Sequence, residues 1–252
     1  MARERCRSGR WRLTGRSGRA DFPPEAGWRV ADSGYIRPSV TTPTCLDDHG
    51  EVIRFGTRWG EAGPPREAYS EVHHSERFAP IVTVAEAIIA YLTKTYDVVV
   101  EDISSLAQER ELKYSFTPEI AHMRRMLEIT PGRGDAARLL VGFTDLPSVE
   151  LQAGAFFDAA FPGCGCDACD EEWSGCAARL DETVLAVARG AFSENIRGRR
   201  VETFLGRPEG SYRSSYRLKH LPYSAAYIAR ARRLLKPLKA GWQPWPKRQT
   251  TA

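Results

Sequence analysis

The sequence predicts an α+β domain: a mainly antiparallel sheet with about three main helices packed on it. Three observations carry that prediction. Residues 80–94 and 170–189 repeat apolar side chains at helical spacing. Segments rich in β-branched and aromatic residues come in runs rather than alternating one for one with helices. Apolar residues make up 42% of 252, enough to bury a core without disulfide staples.

Taken in order, residues 1–50 read as a disordered, basic N-terminal extension. Gly, Arg, Ser, Thr and Pro dominate there, and scattered apolar residues cannot offset the ordering entropy. Cys6 and Cys45 fall in this stretch as incidental cysteines. A single α+β domain then runs over 51–252. Phe55, Trp59, Pro64, Pro65 and Tyr69 form a lead-in loop lying over the core. Ser75 can cap a short turn, and Pro80 suits a first helical position. Phe78, Ile81, Val82, Ala85, Ile88, Ile89 and Leu92 then mark one helix face.

Tyr96–Ile103 reads as a strand and Leu112–Phe116 as a weaker one. Arg138–Thr144 and Ser148–Phe157 read as strands joined by a turn at Asp145-Leu146-Pro147. In the helix Asp170–Arg189, Trp173, Cys176, Ala177, Leu180, Val184 and Val187 share a stripe. Phe192–Arg197, Arg199–Leu205 and Tyr212–Leu218 are short strands around Gly198 and Gly210. Pro222 opens a last helix and Pro237 ends it. The tail is extended and docks the indoles of Trp242 and Trp245.

The net charge of +4 conceals basic ends around an acidic centre. Residues 1–20 carry seven Arg and one Glu, and residues 207–252 eleven Lys or Arg and one Glu. Such blocks bear on association rather than fold. Packing of the basic C-terminal segment on the acidic body is one reading, and a nucleic-acid contact is the other. Tyr212, Tyr216, Tyr223 and Tyr227, set among arginines, suit either stacking on bases or a self-covered core. No stretch approaches the ~20 apolar residues that span a bilayer. Thr83 and Glu86 break the most apolar run, Ile81 to Leu92. The Arg-rich start has no apolar core of a secretory signal, so a cytoplasmic location is expected.

The segment with chemical content is Phe161-Pro162-Gly163-Cys164-Gly165-Cys166-Asp167-Ala168-Cys169-Asp170-Glu171. It lies between an expected strand and an expected helix. In a reducing compartment, three cysteines within six residues read as metal-binding or redox-active before they read as disulfides. Asp167, Asp170, Glu171 and Glu172 crowd the same turn. Negative charge disfavours a reactive thiolate, whereas a bound cation deprotonates thiols and welcomes carboxylates. Zinc held by Cys164, Cys166 and Cys169 is therefore expected, with Cys176 as the fourth ligand if Cys169 precedes the helix. Were both helical, seven residues would separate them by ~10.5 Å. Cys176 also falls on the apolar stripe, where a buried inert thiol is ordinary. His73, His74, His122, His220, Asp167 and Asp170 are the other candidates for the fourth position.

His73 and His74 are sequence neighbours, and side chains at i and i+1 do not share a helix face. The chain carries no P-loop, no G-x-G-x-x-G after a strand, no G-x-S-x-G and no H-E-x-x-H, which argues against catalysis without removing it. Gly132-Arg133-Gly134-Asp135 is turn chemistry. The P-G-C-G-C-D-A-C-D-E run Pro162–Glu171, together with Glu76–Pro80 and Leu221–Tyr227, resembles an uncharacterised bacterial family known only as a domain of unknown function. The resemblance covers Arg54 to Lys247 and implies membership but no activity, so no catalytic residue is carried across. Three functions follow as expectations. The first is a small zinc-binding interaction or regulatory protein with a protein partner. The second is an enzyme with an open metal or thiol centre at the cluster. The third is nucleic-acid binding through the basic C-terminal region.

Overall fold

The computed structural model describes residues 34–69, 71–107, 123–207 and 210–249. Its fold is α+β, with two antiparallel sheets. Strands β1 (Val98–Asp102), β2 (Met123–Pro131), β3 (Leu139–Thr144), β4 (Val149–Ala153) and β5 (Phe157–Phe161) form a five-stranded meander in chain order. Strands β6 (Phe192–Arg197), β7 (Arg200–Arg207) and β8 (Gly210–Arg217) form a separate three-stranded meander. The helices are α1 (Ala79–Thr95), the single turn α2 (Ser104–Ala107), α3 (Trp173–Ala188) and α4 (Ala225–Leu235).

Pro80 stands in the first turn of α1, where its missing N–H costs nothing. Ile81, Val84, Ala85, Ile88 and Leu92 are buried. Of these, Ala85, Ile88 and Leu92 meet Ile129 of β2, Leu139 and Val141 of β3 and Leu151 of β4, with Leu180 and Val184 of α3 beside them. Thus α1 and α3 lie side by side on one face of the large sheet. Ser75–Thr95 is long and apolar enough to cross a membrane, longer than the broken run Ile81–Leu92 implied. Its apolar stripe is spent on this core.

Two departures from the sequence reading have local causes. Strand β2 was not expected, because Met123, Arg124, Arg125, Met126, Leu127 and Glu128 are straight-chain residues without strict alternation of burial. The expected strand 148–157 is two strands. Gly154 turns the chain at φ 59°, and the buried carboxylate of Glu194 accepts the N–H groups of Ala155, Phe156 and Phe157. A Cβ on Gly154 would strike that carboxylate and approach the Trp242 indole nitrogen to 2.9 Å. The expected strand at 112–116 and His122 lie outside the described residues.

Residues 34–50, read from sequence as part of the extension, are packed against the domain. The Tyr35 ring lies 5.3 Å from that of Tyr91, Arg37 Nε is 2.6 Å from Asp181 Oδ2, and Cys45 is buried. The partners of Tyr35 and Arg37 belong to α1 and α3 rather than to the segment itself, so local periodicity could not announce them. At the other end Trp245 donates to the Ala137 carbonyl at 2.8 Å and Trp242 to Glu194 Oε2 at 3.1 Å. Ser224 caps α4, accepting from Tyr227 N at 3.1 Å, with Pro222 just outside it.

Candidate metal centre

The cysteine turn begins where β5 ends. A cis peptide joins Phe161 to Pro162. Gly165 adopts φ 78°, a conformation open to glycine, and so reverses the chain between Cys164 and Cys166. Cys166 precedes a short 3₁₀ turn, Asp167–Cys169, closed by Cys169 N donating to Cys166 O at 3.1 Å. Asp170 then sits at φ 49°, a left-handed residue that stops this turn from running into α3. Hence α3 starts at Trp173 rather than Asp170, and Cys169 lies outside the helix.

These reversals bring Cys164, Cys166 and Cys169 together. Their three Sγ atoms lie within 4.8 Å of one another, and Cys164 and Cys166 are 3.2 Å apart. Cys166 is buried and the other two are half-buried, and none of the three is in a disulfide. Hydrogen bonding to Cys164 and then burial push the Cys169 thiol well above the ordinary cysteine range.

Cys176 is not among the three sulfurs that lie within 4.8 Å of one another, and Glu171 links it to Cys164. Its Sγ lies 3.8 Å from Glu171 Oε1 and 3.3 Å from Arg179 Nη2, fully buried on the α3 stripe. Burial, then the Glu171 charge, push its thiol up to about 12. His220 is exposed in a 3₁₀ turn at 218–220, and the two neighbouring histidines part company. His73 Nδ1 meets Asp167 Oδ2 at 2.6 Å, and that hydrogen bond raises the His73 pKa. His74 Nδ1 meets Glu76 Oε1 at 3.0 Å.

The carboxylates expected to ring the sulfurs are engaged by cations instead. Asp170 accepts from Arg58 N at 2.9 Å and Arg58 Nε at 2.5 Å. Asp167 accepts from His73 N at 3.2 Å and has Arg77 Nη1 at 3.7 Å. Glu171 takes Arg179 Nη2 at 2.5 Å and the Cys164 N–H at 2.8 Å. Convergence of sulfurs, not an acidic surround, is what makes this turn a candidate cation site.

Sequence reasoning missed Arg58 and Arg77. Arg77 is buried and donates to the Gly165 carbonyl at 3.0 Å and to the His73 carbonyl, with its guanidinium 4.5 Å from the Phe55 centroid. Arg58 lies 4.7 Å from the same ring and donates to Asp167 O at 2.8 Å. Phe55 thereby lies within cation–π distance of two guanidiniums, each tied to the cysteine turn. A signal existed in the apolar company of Arg58, between Phe55 and Trp59, but the partner lies more than 100 residues away.

A hollow of about 500 Å³ lies between Arg233–Gly241 and Gly134–Asp135, and none of its lining residues is a cysteine.

A family model described as a family of unknown function, DUF6226, matches residues 41–249. No curated protein and no solved structure matches the chain.

Proposed function

The chain belongs to the family of unknown function DUF6226, and on that premise we propose that it is a metal-binding protein. Cys164, Cys166 and Cys169 hold one thiophilic divalent cation, zinc first, and the domain serves as an interaction or regulatory module in a reducing, cytoplasmic setting. The single observation that carries this reading is the convergence of three sulfurs within 4.8 Å. A tetrahedral ion with bonds of ~2.3 Å spaces its sulfurs ~3.8 Å apart, so modest rotations complete the set. Cation binding would also override the hydrogen bonding to Cys164 and the burial that raise the Cys169 pKa, because a metal takes the thiol as thiolate. Cys176, held by Glu171 and Arg179, is left out of the set, and the fourth position is open to water or to a partner's side chain.

Elemental analysis of protein purified without a histidine tag tests it. About one zinc per chain should survive gel filtration and be lost in the Cys164→Ser, Cys166→Ser, Cys169→Ser triple variant. Less than ~0.2 metal per chain, or content unchanged in that variant, overturns the reading.

A second reading rests on the outer face of the small sheet. Register places Arg197 opposite Arg200, and Arg200 opposite Arg217, so three arginines cross the strands in one row. Like charges directly opposite are unfavourable in a free sheet. All three are exposed, Arg213 lies on the same face, and Glu202, 3.3 Å from Arg197, is the acidic residue among its described neighbours. A phosphate backbone complements that row. Three of the tyrosines set among arginines pack on other rings of the chain. Tyr212 packs 6.1 Å from Phe157, and Tyr223 stacks on Tyr227 at 4.6 Å over Phe156. On this reading a labelled oligonucleotide binds with a salt-dependent affinity, and Arg200→Ala with Arg217→Ala lowers the log–log salt slope by about 2. No binding at low salt removes it, and so does binding unaffected by the pair.

A further inference from the structure

We propose a second cation site, made by Cys45, His74 and Glu76 and independent of the cysteine turn. It would take a borderline-soft divalent ion such as zinc or cobalt(II).

Three chemically different donors meet at one point. Cys45 Sγ is 3.8 Å from Glu76 Oε1, His74 Nδ1 is 3.0 Å from the same oxygen, and all three atoms lie within 4.8 Å of one another. Ligands at 2.0–2.3 Å around a tetrahedral ion stand ~3.3–3.8 Å apart, so shifts below ~1 Å convert the hydrogen-bonded cluster into a coordination set. Mixed sulfur, nitrogen and oxygen donors select zinc-like ions over magnesium or calcium.

The donors come from two chain segments, and each is held by backbone. Cys45 sits at a small hairpin, where Ile53 N donates to its carbonyl at 2.9 Å and Leu46 bridges Val52. Glu76 lies in the 3₁₀ turn Ser75–Phe78. His74, at φ 54° and ψ 46°, is left-handed, which sends its ring to Glu76 while His73 turns to Asp167. Consecutive histidines thus serve two separate clusters, which their spacing alone could not reveal.

Cys45 is 3% exposed, whereas Glu76 is exposed and His74 partly so. An ion therefore reaches the site from the Glu76 side and seats against a buried sulfur. Charge balances on binding. Cys45 releases its proton to solvent, His74 gives up the Nδ1 proton directed at Glu76 and coordinates through Nδ1 as an imidazole protonated on Nε2, and thiolate plus carboxylate offset the dication. The ion would also fasten residues 45–53 to the segment that carries His73 and Arg77, both of which bond to the cysteine turn.

Cobalt(II) titration of the full chain tests this separately from the first site. In the Cys164→Ser, Cys166→Ser, Cys169→Ser variant, one cobalt per chain should bind with a near-ultraviolet thiolate-to-cobalt charge-transfer band. Adding Cys45→Ser should abolish the band, and His74→Gln should weaken binding at least about tenfold. If the triple variant does not fold by circular dichroism, the unsubstituted protein and its Cys45→Ser variant are compared, and Cys45→Ser should bind one equivalent fewer. A folded triple variant without a charge-transfer band, or a stoichiometry that Cys45→Ser leaves unchanged, overturns the proposal. Binding at Cys45 with none at the cysteine turn would sustain this site and remove the other.

Discussion

Replacing Glu194 by Ala is expected to destabilise the fold by ~3–5 kcal/mol in urea unfolding, the range seen when a buried charge network loses a partner. Glu194 is 3% exposed and accepts four N–H groups. Oε1 takes those of Phe156 and Phe157, and Oε2 those of Ala155 and the Trp242 indole. One side chain therefore ties the β4–β5 turn, strand β6 and the C-terminal tail together. Without it four buried donors lose their acceptor, each worth ~1–3 kcal/mol before relaxation. Glu194→Gln keeps the volume but points an NH₂ at two donors, so it should fall between the two.

Glu194 also makes stability depend on pH. Burial raises its pKa to about 7, against the opposing pull of its hydrogen bonds. A carboxyl raised in the folded state binds more protons there than in the unfolded chain, whose value is near 4.5. Its contribution is thus full below about pH 4.5 and declines as pH rises through about 7. The shift corresponds to a fall of up to ~3 kcal/mol across that window. Unfolding free energies measured from pH 4.5 to 8 should show this decline in the unsubstituted protein and lose it in Glu194→Gln. Parallel profiles would sink the assignment.

Arg77→Ala is the second large effect, again ~3–5 kcal/mol. Arg77 is 2% exposed, and its removal leaves the Gly165 carbonyl and Asp167 short of a partner and opens a gap beside Phe55 and Phe78. Because that carbonyl lies between Cys164 and Cys166, faster thiol labelling of the cysteine turn should accompany the loss of stability. Arg77→Lys should rescue little, since an ammonium cannot reproduce a planar fork bonded on one edge and stacked on rings. A stability loss without any change in thiol labelling would separate Arg77 from the cysteine turn.

The cysteine trio was legible because its spacing is local. Two glycines and a proline around three thiols force a reversal whatever surrounds them. The nearby carboxylates, by contrast, pair with arginines. Adjacency of Asp167 and Asp170 in sequence says nothing about which cation claims them, and Arg58 and Arg77 do. Cys45 shows the same gap in reverse. Its neighbours carry no periodicity, so the sequence reads it as incidental, yet the 3₁₀ turn Ser75–Phe78, more than 25 residues on, brings His74 and Glu76 to its sulfur.

By itself the sequence determined the two long helices, most of the strands and the reversal that gathers three sulfurs. Each follows from patterns spanning fewer than about 20 residues, the range over which backbone geometry repeats. Tertiary structure alone decided the split into two sheets, the partners of every buried charge and the donor set at Cys45. Those depend on which groups exclude water from one another, and segments a hundred residues apart make that choice only once the chain has closed on itself.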